Sequence, residues 1–425
     1  MSGPRSRPSS SAGALLLALL GLLLPAAVVV APTAAGAAPA PAVGAEKALT
    51  SARPGRAHVE PDVAWNGDVH LVVWTEVAGP IQHVYGARVR RDGTVLDPRG
   101  IQLSTSDSNH VAPTVAGGGG RFLVMWEEAP EGTFSDLAGV VLDSRGRIVR
   151  RIGIAVDNDQ RAPSVTWGGG MFFAAWEDSP EPDDYDVYGA RVLPDGTVLD
   201  GCATECPLPD ELGIPIGLGA GNQLRPSVAW DGGGYTVAFT APSTTAGQTA
   251  IRANRVARNG TPYFGDTGYV LADRAGNERS ADLAANRGAV LAVWELGDAV
   301  HRARWRPGDS VCCPYDPVPT TPTGGGPLGS SPQGQATPSV APRGDGFVVA
   351  WVSALGSEPD VRVTRVGRAG GVVDTAGFPF AARPGVGERL PSVADAGTRQ
   401  LVAYVHEARS EPYDGRQRVF LRTLG

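Results

Sequence analysis

The chain has 425 residues, a formal net charge of −7 and 42% apolar side chains, with 57 glycines and 36 prolines. Mild acidity, with Lys47 as the single lysine, argues against nucleic acid as a partner. Glycine and proline at this density, beside so many apolar residues, point to many turns between short buried strands.

The first element is a targeting segment. Arg5 and Arg7 precede an apolar run from Ala12 to Ala31, and Ala35-Gly36-Ala37 offers a small-residue cleavage site. That order is expected of a secretory signal peptide over residues 1–37, followed by a small-residue linker over 38–45. An uncleaved anchor is the alternative, because the run is long enough to span a bilayer. Pro25 within the run and the Ala/Pro tail favour cleavage. No cysteine precedes Cys202, which excludes a lipid anchor near the N-terminus. No second stretch reaches spanning length, so no membrane span is expected after cleavage.

From Pro61 onward one pattern recurs. "PDVAWNGDVHLVVW" begins at Pro61, and related segments begin at Pro113, Pro163, Pro226, Ala281, Pro338 and Pro391. In every copy an aromatic stands thirteen residues later: Trp74, Trp126, Trp176, Phe239, Trp294, Trp351 and Tyr404. The starts are 52, 50, 63, 55, 57 and 53 residues apart. Within a unit, a short strand a meets a Gly- or Asn-rich turn, then strand b, an irregular loop, strand c ("VYGARV" at Val84 and Val187), a tight turn and strand d. Turn residues at these offsets mark antiparallel hairpins.

Strand b carries the decisive pattern. "LVVW", "LVMW", "FFAAW" and "FVVAW" are apolar at consecutive positions. One wet face would demand alternation; a continuous run means both faces are covered. Four-stranded sheets stacked around an axis cover both faces, and repeats of this length with four strands signal a propeller. The last unit ends after its third strand, and Lys47–Pro61 aligns with the segment that closes unit one. The expected fold is therefore all-β: a single seven-bladed β-propeller over residues 46–425, with four-stranded antiparallel blades. The N-terminal strand is expected to complete the last blade and close the ring. A linear array of sandwiches leaves the split unit unexplained.

The combination "VAWDGGGYTVAF" with "VYGARVLPDGTVLD" resembles a largely uncharacterised family of secreted bacterial β-propeller repeat proteins. The resemblance covers Glu46 to Gly425 and is strongest in units one, three and four. It implies a propeller and an exported location, and it brings no catalytic residues.

In a propeller the b–c loops and d-to-a connectors share one face, where ligands are expected near the axis. Those loops are acidic, most densely at Glu177, Asp178, Asp183, Asp184 and Asp186. Asp183, Asp184 and Asp186 are the candidate Ca²⁺ ligands, weighed against a solvated acidic loop. Three residues before each unit start stand His58, His110, Gln160, Gln223, Glu278, Gln335 and Glu388. Sevenfold placement makes them either a polar ring at the channel mouth that binds ligand, or anchors for connector backbone. The strand-c arginines Arg88, Arg191, Arg255, Arg304 and Arg365 are expected to pair with Glu76, Glu127, Glu177 and Glu295 at the ends of the b strands.

Cys202, Cys206, Cys312 and Cys313 are disulfide candidates in an oxidising compartment, with three connectivities open. Zinc is disfavoured by their spacing. No G-x-S-x-G, H-E-x-x-H or phosphate loop occurs. The expected function is a secreted, monomeric, non-catalytic binding protein that takes a glycan or an envelope protein on the b–c loop face. The alternative is an extracellular polysaccharide hydrolase or lyase using Glu278, Glu388, His58 or His110.

Overall fold

The computed structural model describes residues 39–50, 56–129, 134–154, 159–181, 184–201, 213–306, 323–328, 334–353, 358–384, 386–408 and 416–425. The chain divides into two units, Met1–Ala37 and Ala38–Gly425, and all described residues belong to the second. The signal segment, Asp183 and the four cysteines lie outside the described residues.

The second unit is a seven-bladed β-propeller. Its 28 described strands, β1 to β28 in chain order, form seven four-stranded antiparallel sheets. The inner strands are β2 (Ala57–Trp65), β6 (Asn109–Gly118), β10 (Asp159–Gly168), β14 (Leu224–Trp230), β18 (Glu278–Asn286), β22 (Gln335–Arg343) and β26 (Gly387–Asp395). Six blades use four consecutive strands. The seventh has the order β1-β28-β27-β26, in which β1 (Lys47–Ala48) pairs with β28 (Arg416–Leu424) through Lys47 and Leu421. The expected closure is therefore present. Tyr404 Oη fastens it by donating to Glu46 Oε1 at 2.5 Å, as does Lys47 Nζ donating to Gly93 O at 3.0 Å.

The continuous apolar run of each b strand divides between two interfaces. In β3 (His70–Val77), Leu71 and Val73 pack with Phe122, Val124 and Trp126 of blade 2. Val72 and Trp74 point the other way, against Leu401, Ala403 and Leu421 of blade 7. β11 (Met171–Glu181) does the same, sending Phe172, Ala174 and Trp176 toward blade 2 and Phe173 and Ala175 toward blade 4. Seven buried clusters result, each drawing on two adjacent blades. The core is a ring of interfaces.

Each inner strand carries a bulge. The residue preceding each unit start is left-handed without being glycine: Glu60, Ala112, Ala162, Arg225, Ser280, Thr337 and Leu390 have φ between 46° and 54°. Such a conformation is uncommon and persists where its surroundings over-determine it. In four of the seven blades a glutamate of the preceding blade does so. Glu60 Oε2 accepts the Ala112 N–H, Glu127 Oε1 that of Ala162, Glu177 Oε1 that of Arg225, and Glu295 Oε1 that of Thr337, at 2.7–2.9 Å.

These bonds correct the expected arginine–glutamate pairing. Register sets Leu71 against Arg88 and Glu76 against His83, so arginine and glutamate occupy opposite ends of the sheet. Four of the strand-c arginines, Arg88, Arg191, Arg255 and Arg365, instead clamp aspartates. Arg88 grips Asp97 through Nε and Nη2, both at 2.8 Å. Arg191–Asp200 and Arg365–Asp374 repeat the nine-residue spacing, and Arg255 takes Asp231. The first three brace the c–d turn, whereas Asp231 belongs to the a–b turn of its blade. Glu76 pairs with Arg56, just before β2, and Glu177 and Glu295 pair with the inner-strand arginines Arg161 and Arg279.

Candidate functional site

The seven inner strands enclose an axial cavity of about 380 Å³. The residue following each unit start faces it: Asp62, Thr114, Ser164, Ser227, Asp282, Ser339 and Ser392. All seven are short side chains bearing oxygen. Each is too short to cross the cavity and long enough to reach the next blade.

They form a ring of inter-blade latches. Ser164 Oγ accepts the Val228 N–H (3.3 Å), Ser227 Oγ that of Leu283 (3.0 Å) and Asp282 Oδ2 that of Val340 (2.8 Å). Ser339 Oγ accepts the Val393 N–H (3.2 Å), Ser392 Oγ that of Val63 (3.1 Å) and Asp62 Oδ2 that of Val115 (2.8 Å). Thr114 turns back and donates to Asp62 Oδ2 at 3.2 Å. A hydroxyl is enough for such a latch. Asp62 and Asp282 add charge, and burial pushes both carboxyls upward, Asp282 to about 6 with the Asp62 charge contributing. The cavity continues along the inner strands past Trp65, Trp167 and Trp230 toward the a–b turns.

The seven residues expected at the channel mouth lie elsewhere. His58, His110, Gln160, Gln223, Glu278, Gln335 and Glu388 are 0–4% exposed, and none borders the axial cavity. Their partners are connector backbone, strand-c backbone of the preceding blade, and neighbouring side chains. His110 Nδ1 meets Gln82 O at 3.0 Å, Gln223 Nε2 donates to Gly221 O at 2.7 Å, and Gln335 Oε1 accepts the Val300 N–H at 2.9 Å. Glu388 Oε1 accepts the Arg383 N–H at 3.2 Å, while Glu278 accepts from the Arg274 N–H and from Trp294 Nε1. Gln160 donates to Asp178 Oδ2 at 3.1 Å, and His58 sits 3.4 Å from both Thr50 Oγ1 and Glu76 Oε2. Burial pushes the Glu278 carboxyl up and raises that of Glu388 to about 7, where the charges of Asp360 and Glu46 add to it.

Of the candidate Ca²⁺ ligands, Asp184 and Asp186 stand at the start of β12 (Asp184–Val192). Asp186 Oδ1 accepts the Gly219 N–H at 3.3 Å, and burial, aided by Asp184, pushes its carboxyl up to about 6. Glu177 and Asp178 are committed to Arg161, the Arg225 N–H, Gln160 and Trp176. Among the described residues no group of three or more His, Cys, Asp or Glu side chains is arranged to hold a metal ion.

The sequence reading missed the latch ring. Its signal was present, since the position after each unit start is Asp, Thr or Ser in every copy. It also missed the left-handed residue, for which no glycine serves as a marker.

No family model matches the chain, and no curated protein matches it. Among solved structures it is similar to the phage phi92 endosialidase, at 10% identity over 90% of this chain and 69% of that one, with a TM-score of 0.48. It is similar to the Pyrococcus horikoshii acylaminoacyl peptidase at 10% identity, over 85% of this chain and 52% of that one, with a TM-score of 0.47. For the parainfluenza virus 5 hemagglutinin-neuraminidase the values are 11%, 90%, 94% and 0.45. The likeness is one of chain path. At these identities, the activities in those names stay with those proteins.

Proposed function

We propose that this chain is an exported, monomeric, non-catalytic binding protein that takes a glycan or an envelope protein on its b–c loop face. One observation carries the reading: the groups best suited to chemistry are buried within the blades. His58, His110, Glu278 and Glu388 are buried inside their blades, and Glu127, Glu177 and Glu295 hold the bulge of the next blade. A general acid or base must reach a substrate proton, and these side chains face protein. Export rests on the N-terminal segment, and among the described residues no helix is long and apolar enough to cross a membrane.

Retention of the chain on a panel of polysaccharides and cell-envelope fractions, with Ca²⁺ and with chelator, tests the reading. Specific retention is the expected result, and loss in chelator would assign Asp183, Asp184 and Asp186 to Ca²⁺. Retention on none of the panel contradicts the reading.

A hydrolase is the second reading, and it moves to the axial cavity. Asp62 and Asp282 share that space with their protonation equilibria pushed upward, a pattern that suits acid–base work. Asp282→Asn and Asp62→Asn would abolish turnover under this reading and leave retention unchanged under the first.

A further inference from the structure

Blade 2 breaks the pattern of its neighbours at its outer edge. In blades 1, 3 and 6 the c-strand residue facing Leu71, Phe173 or Val348 is an arginine, which clamps an aspartate nine residues on. In blade 2 the residue facing Leu123 is Val141. The clamp is gone, while the turn after strand c is the one the clamped blades also make, as where Arg90 N donates to Thr94 O and Gly93 N to Arg90 O in blade 1. Asp143 N donates to Arg147 O at 3.0 Å and Gly146 N to Asp143 O at 2.9 Å, with Gly146 at φ 76°. The chain released from the clamp enters the outer strand, β9 (Ile148–Ile154). Among the described residues β9, at seven residues, is the longest outer strand; the others have two to five.

β9 is also the end of its sheet, paired only with β8 (Asp136–Asp143). Ile148, Val149, Arg150 and Arg151 are exposed, as are Arg145 and Arg147 in the turn before them. Four exposed arginines within seven residues stand on a chain whose net charge is −7. Arg151 reaches Leu103 O at 2.7 Å and Arg150 reaches Thr197 Oγ1 at 3.2 Å, which tie the strand to both neighbouring blades. The edge is thus long and anchored at two points.

We infer that the outer edge of blade 2 is a docking site for an extended acidic peptide segment of a partner protein, which adds to the sheet as a fifth strand beside β9. An unpaired strand edge offers main-chain donors and acceptors, and alternate side-chain positions set specificity. Ile148 and Val149 supply apolar contact, and the arginines select acidic side chains. Edge-to-edge pairing of two copies would bring like charges together, which opposes self-association. This site is separate from the b–c loop face and stands whether or not that face binds ligand.

The test is fluorescence anisotropy with the full chain and a short labelled peptide of alternating glutamate and valine. Binding is expected to weaken with salt and to fall about tenfold or more in Arg145→Glu, an exposed position, whereas Arg147 is left in place because it pairs with Asp143 within the turn. A lysine–valine peptide should not bind. Methylating alternate peptide nitrogens should abolish binding without altering charge, a control that needs no protein variant. Undiminished binding of the methylated peptide, equal competition by an anionic polysaccharide, or no binding of the glutamate peptide would each overturn the inference.

Discussion

Gly168 closes β10 beneath the indole of Trp230 in the next blade. A β-carbon added there would lie 1.9 Å from Trp230 Cγ, 2.2 Å from its Cβ and 2.4 Å from its Cδ2. Apolar carbons rest about 3.5–4 Å apart, so Gly168→Ala requires the indole or the strand to retreat by about 1.6 Å. Retreat pulls Trp230 from Tyr235, whose ring centroid lies 4.8 Å away. It also strains the bond from Tyr235 Oη to Gly168 O, 2.9 Å long. Overpacking of this kind costs about 1–3 kcal/mol. Restricting the unfolded chain returns about 0.4–1 kcal/mol. The net expectation is a loss of about 1–2 kcal/mol, read as a lower urea midpoint at unchanged slope. Gly371→Ala is the control, since nothing lies within 4 Å of its added carbon, and it should move stability by less than about 0.5 kcal/mol. In a Trp230→Ala background the Gly168→Ala penalty should disappear. Equal effects at 168 and 371, or full additivity with Trp230→Ala, would refute the packing argument.

Further expectations concern protonation, the latch and the closure. Glu388 is an acid whose native carboxyl is raised from 4.5 to about 7, so the native state holds the proton more tightly than the unfolded chain does. Its contribution to stability therefore falls as pH rises from about 4.5 to about 7 and stays low above that. Glu388→Gln should remove this slope and be more stable than the parent at pH 8 in urea titrations. Ser339→Ala strips the Val393 N–H of its latch acceptor and should cost about 1 kcal/mol in the same assay. Deleting residues 39–50 removes β1 and exposes the edge of β28; light scattering should show concentration-dependent association that the full chain lacks.

The blade count, the ring and its closure were readable because they rest on patterns with a direct physical meaning. Consecutive apolar residues at Leu71–Trp74 require cover on both faces, and the structure divides them between blades 7 and 1 and blades 1 and 2. The polar contacts were harder to read because they depend on register. Arg88 and Glu76 share a hairpin on paper, yet Arg88 faces Leu71, and its true partner Asp97 comes from the following turn. The position three before each unit start was found as a ring of polar residues, but a side chain facing the axis and one buried within the blade look alike in the sequence. The position after each unit start, which does face the axis, differs by four residues along one strand. Blade 2 was readable in principle, because Val141 breaks the arginine series. Its consequence, a longer outer strand, emerges only in the folded blade.

The most direct test of the binding reading follows retention and product release together, with the full chain on each polysaccharide that retains it. The account predicts saturable retention and no new reducing ends over prolonged incubation. Release of reducing ends that stops in Asp282→Asn, with retention unchanged, would contradict it and make the axial cavity a catalytic site.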